Sequence, residues 1–198
     1  MVMAPALPDP HLGDGAPDVA ADEWDTLVTA LNRWGVVHVA PGWRRADGVP
    51  RTARDLFERL ALVGEPRLQQ AAVVLLLTHP RLAADARSVI DDLAGVPRDR
   101  AMRRYVAAAA LQRMAWTRIA LRLGPQPALP PVYLDELNLP PLDEEFGRVT
   151  LLALAAQERV RYGYDAWGTY LALLDLFLTE IRRRDWGTTC ESELIEHV

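Results

Sequence analysis

Residues whose types and spacing suggest chemistry are concentrated between Leu31 and Phe57, in LNRWGVVHVAPGWRRADGVPRTARDLF. Arg33 and His38 stand five positions apart, the sort of pair that can stabilise a phosphate and move a proton. Gly42 follows a short apolar run, and Asp55 comes thirteen residues later. A small residue after a strand lets backbone approach a triphosphate, and two carboxylates on one strand hold catalytic metals. Both demands fail here. Trp43 is bulky where close approach is needed, and Phe57 stands where the second carboxylate belongs. Asp55 instead shares a helical pattern in which Leu56, Leu60 and Val63 fall on one face.

Two families are touched by this stretch. Its order of helix, apolar run, Gly and Asp resembles the entrance to a minimal nucleotidyltransferase domain, without the catalytic positions. Arg33-Trp-Gly-Val-Val-His38 resembles the Arg-x4-His pattern of the helical HEPN ribonucleases, which implies a degenerate ribonuclease as one alternative. In this chain the pattern crosses a predicted helix end at Gly35, so His38 in an extended segment near 36–39 is the simpler expectation.

Elsewhere the chemistry is sparse. The 22 basic side chains are all Arg. With no Lys there is no Schiff-base amine and no Walker-type phosphate lysine. The four histidines, His11, His38, His79 and His197, have no ligand spacing, and Cys190 is the sole cysteine, so no metal site and no cofactor are expected. The lone cysteine fits a reducing, cytoplasmic compartment. The N-terminal MVMAPALPDPHLGDGAPD lacks the basic and apolar regions of a signal peptide. No apolar run approaches the ~20 residues of a membrane span, and the formal charge of −5 excludes a strong general pull toward nucleic acid.

The elements follow from pattern and punctuation. Residues 1–18 read as a tail, 19–186 as one all-α helical domain and 187–198 as a second, acidic tail. Six or seven helices are expected: one ending near Trp34, then segments over 51–63, 66–79, 80–93, a long one over 99–123, and 143–161 and 166–185. The segments over 51–93 suggest HEAT-like helix pairs, although no fixed period recurs. Six prolines between Pro125 and Pro141 leave room for no more than a turn in that loop. Ala71–Leu77, Leu151–Ala156 and Leu171–Leu178 are apolar nearly all round and should be central or covered. Asp175, inside the last of these, should pair with Arg113, Arg118 or Arg122.

Two groups stand out as binding candidates. Arg98, Arg100, Arg103 and Arg104 crowd the start of the long helix, where positive charge opposes the helix dipole, and are candidates for contacting nucleic acid. Tyr162, Tyr164, Trp167 and Tyr170 gather at a corner between helices and suit an interface. Finally, GEPRLQQAAVVLLLTHPRLA, YVAAAALQRMAW and YDAWGTYLALLDLF resemble small helical bacterial proteins encoded beside nucleotidyltransferases in toxin–antitoxin or defence loci. That resemblance, over about residues 50–180, implies a regulatory or partner-binding role and carries no active-site residue. The expectation is therefore a non-enzymatic subunit that binds another protein or a second copy of itself.

Overall fold

The computed structural model describes residues 21–37, 39 and 48–183; His38, Trp43, Cys190 and the two predicted tails lie outside the described residues. The described residues form eight α-helices and no strand: α1 Ala21–Arg33, α2 Ala53–Leu62, α3 Pro66–Thr78, α4 Ala83–Asp92, α5 Gly95–Met114, α6 Trp116–Leu123, α7 Arg148–Tyr162 and α8 Ala166–Arg183. Short 3-10 turns at Pro80–Leu82 and Glu144–Gly147 precede α4 and α7. The all-α reading holds. The extra helix arises because the predicted 99–123 segment breaks at Ala115 (φ −107°, ψ 9°).

Helix ends obey local chemistry. Gly35 adopts φ 74° and closes α1 through bonds from its own N–H to Asn32 O (3.0 Å) and from Val36 N–H to Leu31 O (2.8 Å). This is a Schellman cap, with its apolar contact between buried Leu31 and Val36. Thr52 caps α2 by accepting from Asp55 N–H at 3.1 Å, so Asp55 is a helix residue and no strand ligand. Pro66 occupies the first turn of α3, where its missing N–H costs nothing. Pro97 does the same in α5, which therefore begins before the proline instead of after it.

α2 packs on α4 and α3 on α5, so α2–α3 and α4–α5 stack as two successive helix pairs, and α7 then packs on α5. The most central helix is α5. Residues 102–112 are all buried, and the run Ala107–Ala110 lets neighbours approach closely. α3 is the other enclosed helix, with 73–78 buried on every side. In contrast, Leu152 and Ala156 of α7 face outward, as does Asp175 of α8. Asp175 thus sits in water and needs none of the predicted arginine partners.

The proline-rich loop is pinned to α5 and α4. Buried Gln112 donates to Pro127 O (3.0 Å) and accepts from Leu129 N–H (2.7 Å). Tyr133 stacks edge-on against Tyr105 (5.6 Å) and donates to Asp91 at 3.0 Å. The chain then enters α7 through three consecutive left-handed residues: Glu145 (φ 43°), Phe146 (φ 55°) and Gly147 (φ 87°). For Glu145 and Phe146 that conformation costs about 1–2 kcal/mol each. Gly147 fits because a Cβ there would lie 2.9 Å from the backbone oxygen of Ala110.

Gly147→Ala should therefore destabilise the fold by more than ~2 kcal/mol in denaturant unfolding. Gly163→Ala, left-handed but with nothing within 4 Å of its Cβ, should cost only about 1 kcal/mol. Equal losses would contradict the close packing of the turn on α5.

Candidate interaction site

The two predicted groups meet inside the protein. Arg104, on α5, reaches α7 and α8 between them: its Nη1 donates to Glu158 Oε1 (3.3 Å) and to the Tyr170 hydroxyl, and its Nη2 to the Tyr164 hydroxyl (3.3 Å). Tyr164 and Tyr170 donate to the same carboxylate at 2.8 and 2.9 Å. Glu158 and Tyr170 have no exposed surface. Burial, opposed by Arg104 and aided by Glu158, holds the Tyr170 hydroxyl well above its usual range, and Tyr164 is raised by burial too. Both stay protonated and so remain donors to Glu158. On Arg104 burial acts against the charge, but Tyr170, Glu158 and Tyr164 outweigh it and leave the guanidinium more firmly protonated.

The remaining members of the Arg group are mostly engaged as well. Arg98 binds Glu136 at 2.7 Å. Arg103 is buried, held by Asp99 (3.0 Å) and Gln157 (3.0 Å). Asp99 also meets Arg161 at 3.0 Å. Arg103 and Arg104 therefore correct the sequence expectation: they are turned inward, and their charge is balanced within the fold. Arg100 is half-buried and lines a small apolar pocket under α2–α4. The aromatic group divides in the same way. Tyr170 is core, which corrects its assignment to an interface. Tyr164 and Trp167 are partly buried, and Tyr162 is exposed with Arg161 over its ring. Of the Arg33–His38 pair only Arg33 is described, exposed in the last turn of α1.

An open groove of mixed apolar and basic lining lies at the other end of α5. It has a volume of about 660 Å³ and runs between the α5–α6 break and the left-handed turn before α7. Met114, Ala115, Trp116 and Phe146 supply its apolar surface, and Arg113, Arg118 and Arg148 its charge. Trp116 is 39% exposed and Phe146 78%. Glu145 is the one carboxylate in the lining, and it bonds Arg148 at 3.3 Å. Arg113 and Arg118 form no ion pair among the described residues. From Arg148 an apolar strip of Leu152, Ala156 and Val160 continues along the exposed side of α7.

Sequence reasoning overlooked this groove. Trp116 sat inside the continuous 99–123 helix expected from the sequence, and Glu145 and Phe146 fell inside the expected 143–161 helix. The available signal was Gly147 directly after Phe146, a glycine inside the expected helix that permits a turn there and frees the aromatic side chain from the helical pattern. Among the described residues no cluster of three potential metal ligands occurs, and no helix is long and apolar enough to cross a membrane. Compared with known proteins, the chain matches no family model, no curated protein and no solved structure.

Glu158→Ala should cost about 3–5 kcal/mol by leaving Arg104 buried and unpaired. The double variant Arg104→Met/Glu158→Leu should lose less than Glu158→Ala alone. A double variant as damaged as the sum of the two single changes would show that the pair is not coupled.

Proposed function

We propose that the protein is a non-enzymatic docking subunit that binds an acidic, apolar segment of a partner protein in the Trp116–Phe146 groove. The observation that carries this reading is the left-handed turn. Two non-glycine residues stay in a strained conformation, and the result is a phenylalanine held in solvent opposite an exposed tryptophan. Strain of this kind persists where the surroundings fix it and where it positions a working side chain. Aromatic residues, Met and Arg are the types enriched at protein interfaces.

The charge pattern selects the partner's chemistry. Arg113 and Arg118 pair with no carboxylate among the described residues, so Asp or Glu beside an aliphatic anchor matches the lining. An extended nucleic-acid track fits less well. Arg98, Arg103 and Arg104 are engaged within the fold, and three groove arginines on a chain of charge −5 form no continuous basic path. A docking role agrees with the partner-binding expectation from the helical companion proteins. It also suits a chain whose strongest polar network is buried and holds helices together.

Co-purification of the tagged chain from its native host should recover a partner. Affinity for it should fall at least ~30-fold on Phe146→Ala or Trp116→Ala, as for an interface hot spot. Arg118→Glu should weaken binding and flatten its salt dependence. Retention of the partner by all three variants, or salt-sensitive binding of single-stranded RNA or DNA in its place, would overturn this reading.

A further inference from the structure

We infer that the groove has an occupant within the chain itself: the acidic C-terminal segment Cys190–Val198, CESELIEHV, which would dock there and compete with the partner. The inference rests on the docking role given to the groove above.

Three observations point to this segment. The first is where α8 ends. α7 starts at the groove with Arg148, and after only Gly163, Tyr164 and Asp165 the chain returns as α8, which packs on α7. Fifteen residues of α7 and eighteen of α8 rise about 22 and 27 Å, so the end of α8 comes back to the level at which α7 began. α8 also packs against α6, whose first turn lines the groove. The second is reach. Residues 184–190 can span up to about 25 Å and 191–198 a similar distance again, which suffices to cross a groove beginning beside α6. The third is chemistry. Glu191, Glu193 and Glu196 match Arg113, Arg118 and Arg148, while Leu194, Ile195 and Val198 match Met114, Trp116 and Phe146. The N-terminal segment 1–20 has scattered aspartates but no comparable block of alternating Glu and aliphatic residues.

An occupant supplied in cis acts at high effective concentration, so even a weak tail–groove contact would lower the apparent affinity for an outside partner. The groove would then open only to partners that bind better than the tail, or after the tail is drawn away. This makes the tail a threshold on docking.

The sole cysteine gives a direct test in the full chain. Thr117, exposed in the groove lining, is changed to Cys; Asp85→Cys, on the exposed side of α4, is the comparison. Under mild oxidation Cys190 should form an intrachain disulfide with position 117 at least ~10-fold faster than with position 85. Phe146→Ala, or Leu194→Ser with Ile195→Ser, should abolish that difference. Equal trapping at 117 and 85, or a disulfide found only between two chains, would overturn the inference. Its failure is distinguishable from failure of the docking role. Absent trapping with partner binding still lost in Phe146→Ala removes the tail alone. Preferential trapping with partner binding unchanged by Phe146→Ala would move the partner elsewhere and leave the tail in the groove.

Discussion

A single buried ion pair ties the three helices that define the C-terminal half of the molecule. Arg104 from α5 and Glu158 from α7 lie out of water, and Tyr164 and Tyr170 from the α7–α8 corner complete the carboxylate's shell. A pair like this adds little net stability over an apolar replacement, because desolvation offsets most of the attraction. Its value lies in specificity. A carboxylate that accepts from one guanidinium and two hydroxyls tolerates only one relative placement of α5, α7 and the start of α8. A second chain of contacts, Asp99 to Arg103 to Gln157 to the Leu137 carbonyl, reinforces the same register.

With that end of α7 fixed on α5, its other end has to meet α5 at Ala110, where only a glycine fits. Gly147 supplies the close approach, and the left-handed turn around it directs Phe146 outward. Gln112 holds Pro127 and Leu129, so Ala128 is set against the same groove from the opposite wall. The groove is thus a by-product of rigid packing on both sides of α5. Its lining belongs to elements anchored by buried polar groups, which suits a surface that binds without rearranging.

The fold was largely legible because helical period, proline at first turns and glycine at ends act locally. Pro66, Gly35 and Thr52 mark helix boundaries by the chemistry of one or two residues. The break at Ala115 has no such mark, since alanine is the best of helix formers; tertiary packing of α6 onto α8 makes it. α5 looked polar at its start because of four arginines, yet it became the core helix. Arginines are buried when a carboxylate waits for them, and Glu158 is 54 positions away from Arg104. Sequence spacing carries no trace of that pairing. It brought the correct residue types to notice, Arg103, Arg104, Tyr164 and Tyr170, and assigned them to a surface. The residues that do reach the surface, Phe146 and Trp116, depend on positive φ angles and a helix break, both products of packing.

The rigidly held groove between α6 and the turn before α7 is the face we propose for partner binding. Hydrogen–deuterium exchange of the full chain, with and without the partner it co-purifies with, tests this most directly. Binding should slow exchange in residues 113–118 and 144–148 and leave the amides around Arg104 and Glu158 as slow as before. Protection confined to α1–α4, with both groove segments unchanged, would contradict it.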